Sequence, residues 1–153
     1  MTYKRILVPV DGSPTSIAGL KEALKIAKGQ HSKVCILHVV DEMIVFNVPE
    51  SAVNVAPVID ELKRGGKRVL QKAQKVAAAQ GVKAESDLRE SVGVRVADVI
   101  TGRAKRWRAD LIVMGTHGRR GVNRMLLGSD AELVVRNASA PVLLVRAGAR
   151  RKG

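Results

Sequence analysis

The sequence predicts one α/β domain: an open five-stranded parallel sheet with helices on both faces. Two observations carry this. First, four short, almost unbroken apolar runs occupy residues 6–10, 34–40, 111–114 and 142–145. They are too short for helices and do not alternate, as expected of strands covered on both faces of a parallel sheet. Second, segments with helical spacing of apolar residues fall between the runs, giving the order β-α-β-α-β-α-β-α-β. A chain of 153 residues defaults to one domain, here residues 1–147 with a basic tail at 148–153. Hydrophobic residues make up 46%, yet Phe, Trp and Tyr occur once each, so the core must be aliphatic.

The elements follow in order. Residues 6–10 form the first strand. Ser13 is a suitable N-cap and Pro14 suits the first helical position, with Ile17, Leu20, Leu24 and Ala27 on one face until Gly29. Residues 34–40 form the second strand. Residues 41–57 have no clean period and contain two prolines, which predicts a long loop with at most a short turn of helix. Val58, Leu62, Val69, Ala73 and Val76 support a long helix ending near Gly81, interrupted in pattern by Gly65-Gly66. Val82, Ala84, Ser86 and Leu88 alternate with charged residues, the pattern of a half-buried edge strand. Val96, Val99, Ile100, Ala104 and Trp107 mark a helix, residues 111–114 a buried strand, residues 129–137 a helix and residues 142–145 the last strand.

Composition excludes several classes. No apolar stretch approaches the ~18 residues of a membrane span, and the apolar run at the N-terminus is too short for a signal peptide. Cys35 is the only cysteine, so no intrachain disulfide forms; a reduced, cytoplasmic setting fits, with Cys35 as a buried small hydrophobe. A net charge of +13 favours anionic partners. The scarcity of aromatics argues against a stacking platform for single strands, and no helix reads as a recognition module, so nucleic acid is not the expected ligand. His38 lies inside a strand and reads as a core histidine, and Trp107 as a packing residue.

Ligands of open parallel sheets sit beyond the carboxyl ends of the strands, where strand order reverses. The two most unusual loops follow the first and fourth strands. The second carries Gly115, Gly118, Gly128 and Ser129 together with Arg119, Arg120 and Arg124. Glycines allow a left-handed turn and close approach of a ligand to the main chain, exposed N–H groups can form an anion nest, and Gly128-Ser129 opens a helix whose N-terminus favours phosphate. The same residues have a structural reading, because Ser129 to Glu132 spells a capping box. The spacing is neither the Walker P-loop nor the dinucleotide fingerprint.

The segments "KRILVPVDGS", "LHVVD", "ADLIVMGTHGRRG" and "LLGSDAELVVRNASAPVLLVR", with the complete spacing G-x2-G-x9-G-(S/T), resemble the universal stress protein family, specifically its ATP-binding branch, over roughly residues 3–146. The resemblance implies strand order 3-2-1-4-5, a homodimer, and ATP in the crevice between strands 1 and 4. It implies that Asp11 holds the ribose or an associated Mg2+, that Pro9 and Val10 line the base pocket, and that Val39 meets adenine through its backbone. It also implies that Met114 packs near sugar or base, while Gly115, Gly118, Gly128 and Ser129 surround the phosphates, with Arg119 beside them. Asp130, counted with the nucleotide-binding residues, departs from the family pattern: its carboxylate could repel phosphate, bind a metal or, the favoured reading, stabilise the helix N-terminus. His117 lies in the same loop without an implied catalytic role.

The function expected is an ATP-binding regulatory protein of unknown protein partner, at most a slow ATPase, since no convincing general base appears. The alternatives are a nucleotidyl-transfer or hydrolase enzyme of the same α/β group, for which no catalytic His/Lys constellation is apparent, and a basic nucleic-acid-associated protein. The last strand, apolar from Val142 to Val145 and uncharged until Arg146, predicts a homodimer through residues 141–147.

Overall fold

The computed structural model describes residues 2–47, 49, 54–117 and 127–148. Ten elements run along the chain: β1 (Arg5–Pro9), α1 (Pro14–Gln30), β2 (Lys33–Val40), α2 (Met43–Phe46), α3 (Val55–Ala79), β3 (Ala84–Glu90), α4 (Val96–Trp107), β4 (Leu111–Gly115), α5 (Ser129–Asn137) and β5 (Val142–Val145). The five strands form one sheet in the order β3-β2-β1-β4-β5, and every pairing is parallel.

Strand order explains the layers. From β1 the chain steps outward to β2 and β3, then crosses to β4 and steps outward the other way to β5. Parallel crossovers are right-handed, so reversing the direction of travel moves the helices to the opposite face. Accordingly α1 and α3 bury Leu20, Ala23, Leu24, Leu70, Ala73 and Ala77 against one face, where Ile6, Val8, Val34, Ile36 and Val113 await them. Helices α4 and α5 bury Ile100, Ala104, Trp107, Ala131 and Val134 against Leu7, Cys35, Leu37, Ile112 and Met114 on the other.

Local chemistry sets the boundaries. Ser13 caps α1, its side chain accepting the Ser16 N–H, and Pro14 occupies the first turn. Helix α3 begins at Val55, three residues before the expected start, because the Asn54 side chain accepts the Ala56 N–H and supplies a cap. Within the expected loop the chain forms the single turn α2. The Gly65-Gly66 pair leaves α3 unbroken. A Cβ on Gly66 would lie 2.7 Å from the His38 ring and 2.8 Å from a Leu88 methyl, so the glycine lets α3 lie close on β2 and β3.

Edge strand β3 departs from simple alternation. Ala84 and Leu88 pack against the α1–α3 core, but Ser86 is exposed. On the opposite face Asp87 is largely covered because the Arg103 side chain of α4 reaches over to pair with it. Trp107 is buried and lies beneath the Arg5 guanidinium, 4.7 Å from its ring centre, confirming a packing role. Cys35 is fully buried, and burial pushes its thiol up to about 11, so it is inert at neutral pH.

Candidate functional site

The carboxyl ends of β1 and β4 meet at the point where strand order reverses. Pro9 explains why a crevice opens there. Along β1 the peptide groups point alternately to β2 and β4. Val10 donates its N–H to the Leu37 carbonyl of β2 (2.8 Å), while the Arg5 carbonyl accepts from Asp110 beside β4 (3.0 Å). The nitrogen of Pro9 therefore faces β4 and has no proton to give. The pairing of β1 with β4 ends at Leu7 and Ile112, before Pro9 is reached. A proline in a central strand is tolerated because it stands where the ladder stops.

On the other side, β2 runs further than β1: their pairing ends at Pro9 and Leu37. Val39 shares the parity of Leu37, so its peptide group faces the same flank, past the end of β1.

The β1–α1 loop is held by its own side chains. The Asp11 Oδ1 accepts the Ser13 N–H at 2.9 Å, and the Asp11 N–H approaches the Ser16 hydroxyl at 3.3 Å. His38 Nδ1 lies 2.7 Å from the Val10 carbonyl and is buried, which makes it a satisfied core histidine that also fixes the backbone entering this loop. Across the crevice the Thr15 hydroxyl donates to the His117 carbonyl, tying the first turn of α1 to the chain leaving β4. Thr116 is clamped on both sides. Its N–H bonds to the Val145 carbonyl (3.0 Å) and its carbonyl accepts from Gly128 (2.8 Å), which docks the start of α5 against the end of β4. The Thr116 hydroxyl itself is buried and has no hydrogen-bond partner among the described residues. An orphaned polar atom at this depth costs ~1–3 kcal/mol.

The expected site residues are brought together in part. Asp11 and Gly128 fall on the β1–α1 and β4–α5 connections, while Pro9 and Gly115 end the strands before them and Ser129 and Asp130 open α5. Pro9 and Val10, expected to line one base pocket together, point to opposite faces of the sheet. Val10 joins the α1–α3 core. Met114 and Val39 pack on the α4–α5 side. Only one of Pro9 and Val10 can offer its side chain to a base; the other contributes main chain. Gly118, Arg119, Arg120 and Arg124 lie outside the described residues.

Two local readings change. Gly115 does not adopt a left-handed conformation. Its lack of a side chain answers to α1: a Cβ would lie 2.7 Å from the Thr15 carbonyl carbon and 2.8 Å from its oxygen. The capping box also does not form. Gly128 is the N-cap of α5 and makes no side-chain cap. Ser129 becomes the first helical residue, exposed, and its hydroxyl makes no hydrogen bond among the described residues. Its hydroxyl is thus left to a ligand or to water. Asp130 and Glu132 occupy the first turn of α5, where the helix dipole favours negative charge.

Thr15 and Thr116 escaped sequence reasoning. Both sit beside glycine-rich loops, and a hydroxyl at the end of an apolar strand was the available signal. For a divalent cation, no group of three His, Cys, Asp or Glu side chains comes together among the described residues. Asp11 brings a single carboxylate to this loop.

This geometry has relatives. The chain matches the model of the universal stress protein family over residues 2–146. It is 41% identical to a universal stress protein of Methanocaldococcus jannaschii, covering 94% of this chain and 82% of the relative. It is 33% identical to the universal stress protein YxiE of Bacillus subtilis, covering 94% and 99%. Among solved structures, the universal stress protein UspA from Lactobacillus plantarum superposes with a TM-score of 0.79 at 27% identity, covering 95% of this chain and 99% of that one. A universal stress protein solved in complex with cAMP gives a TM-score of 0.71 at 25% identity, covering 97% and 100%. Sequence match over nearly the whole length and agreement of fold lead to one conclusion: the chain belongs to the universal stress protein family.

Proposed function

We propose that this protein binds an adenine nucleotide, ATP, in the crevice between β1 and β4, and that occupancy changes its contacts with a protein partner in the cytoplasm. The observation that carries the reading is the β1–β4 ladder that stops at Leu7 and Ile112, leaving a crevice where strand order reverses. The complex of a relative with cAMP supports an adenine ligand. The base lies against Pro9 and the outward peptide group of Val39, Val10 contributes main chain, and Met114 forms the floor. Asp11, already oriented by Ser13, accepts from the ribose and shares a Mg2+ with the phosphates. Gly128 and Ser129 at the start of α5 receive the phosphates, with Gly115, Gly118 and Arg119 of the preceding connection around them. Asp130 stays at the helix N-terminus and points the anion toward Ser129. The family resemblance further supports a homodimer through β5, whose pairing edge is unfilled in the single chain.

The test is thermodynamic linkage. A ligand at ~1,000 times its dissociation constant stabilises the native state by about 4 kcal/mol. Mg-ATP should raise the melting temperature, adenosine should raise it less, and Asp11→Ala should reduce both shifts. Equal shifts from ATP and adenosine would remove the phosphates from the site; no shift from either would remove the nucleotide. Any hydrolysis should be slow, since no described side chain stands ready as a general base, a device worth ~10²–10⁴-fold.

A further inference from the structure

A cavity of about 940 Å³ lies on the α1–α3 face of the sheet, between the first turn of α1 and the middle of α3. That is the upper end of the ~300–1,000 Å³ spanned by small-molecule pockets. None of the residues assigned above to the nucleotide lines it. Among the described residues it borders that crevice at Gly12, Ser13, Thr15 and His117. Three features define what it could hold.

Its walls are apolar at Ile17, Val69 and Val76. Its charged lining residues are Arg68 and Lys72 of α3, one turn apart on the same face, and no carboxylate lines it among the described residues. Lys72 makes no ion pair among the described residues, while the Arg68 guanidinium is drawn out to Glu61 at 2.7 Å, an exposed pair of little worth. Finally, His117 lines the end of the cavity nearest β4, its ring Nδ1 turned away from the open space and without a hydrogen-bond partner among the described residues. The start of α1 adds little: Pro14 has no N–H, and the Ser16 N–H is taken by the Ser13 hydroxyl. Recognition of charge therefore falls to side chains.

We propose that this cavity is a second binding site, separate from the nucleotide crevice, for a small organic phosphate with an apolar body. The phosphate sits between Lys72 and Arg68 and takes Arg68 from Glu61. The body lies along Val69, Val76 and Ile17, and His117 closes the end nearest β4. The shared Gly12-Ser13 stretch and the Thr15–His117 tether give the two sites common walls without common contacts.

Phenyl phosphate is the probe, with phenol as the uncharged control and isothermal titration as the readout. Phenyl phosphate should bind the wild-type protein and phenol should bind more weakly. Lys72→Gln and Arg68→Gln should each weaken phenyl phosphate about three- to tenfold, and Glu61→Gln should tighten it. ATP affinity should be unchanged in all three variants, and saturating ATP should leave phenyl phosphate binding intact. The proposal is overturned by absence of binding, by equal binding of phenol, or by indifference to Lys72→Gln. Competitive displacement by ATP overturns it as well, by making the cavity an arm of the nucleotide site. Because the probe carries no adenine, failure of ATP to bind would leave this result standing on its own.

Discussion

A single absent methyl decides how β4 meets α1. Gly115→Ala would set its Cβ against backbone atoms of Thr15, which cannot rotate away. The expected outcome is destabilisation by about 1–3 kcal/mol or more through overpacking, read as a lower urea midpoint without nucleotide present. A midpoint equal to wild type would return Gly115 to a purely ligand-facing role. Titration offers a second check at this scale. Glu42 is buried, and burial first, then the adjacent Glu90 carboxyl, holds its carboxyl above the ordinary 4.5. Glu90 is itself drawn downward by Lys63, whose Nζ lies 2.9 Å away. A carboxyl raised in the folded state prefers its proton there. Its contribution to stability is full below the unfolded value and erodes as pH rises through the folded one. Glu42→Gln keeps a donor toward Glu90 and removes the buried charge. The variant should match wild type near pH 4 and show a higher urea midpoint at pH 7; a lower midpoint at pH 7 would contradict the sign.

At the scale of elements, α3 carries two adjacent glycines with opposite consequences. At Gly65 an added Cβ meets nothing closer than 3.7 Å, an Arg68 side-chain nitrogen. Gly65→Ala should therefore stabilise by up to ~1 kcal/mol through helix propensity. Gly66→Ala gains the same propensity but drives its Cβ into His38, whose ring is pinned at the Val10 carbonyl, and into Leu88. The net result should be a loss of about 1–2 kcal/mol, measured by thermal or chemical denaturation of the pair side by side. Identical effects of the two substitutions would mean that α3 does not lie as close to β2 as described. Helix α4 is anchored differently, through the Arg103–Asp87 pair, both side chains less than one-fifth exposed. This pair explains how an edge strand so rich in charge still carries a helix on one face.

At the scale of the molecule, β5 is the unguarded edge. Val142 and Leu144 turn toward the α4–α5 core, whereas Leu143 is 36% exposed. A lysine at Leu144 would injure the core as well as any seam, so Leu143 is the cleaner probe. On the proposed dimer, Leu143→Lys should leave the melting temperature of the dilute protein nearly unchanged and shift sedimentation from dimer to monomer at micromolar concentration. A wild-type protein that sediments as a monomer would dispose of the interface. No helix among the described residues is long and apolar enough to cross a membrane.

The sequence by itself determined the number, type and order of the main elements, the aliphatic core, the inert cysteine and the family. These follow from local periodicity, from apolar runs and from motif spacing, all of which are one-dimensional. It misplaced the start of α3, because a cap such as Asn54 is recognised only when the helix it serves is known. The sequence located the two loops that meet at the crevice, but misread why particular residues stand in them. Gly115 is small because α1 passes against it. Ser129 is not a cap because Gly128 takes that position, and Pro9 is tolerated in a central strand because β4 offers it no partner to bond. Only tertiary structure decides such matters, since each depends on an atom distant in the chain: the Thr15 carbonyl, the Thr116 carbonyl, the missing β4 partner of Pro9. The cavity between α1 and α3 belongs to the same class, since Arg68, Lys72 and His117 become neighbours only when the sheet brings two helices and a strand end together.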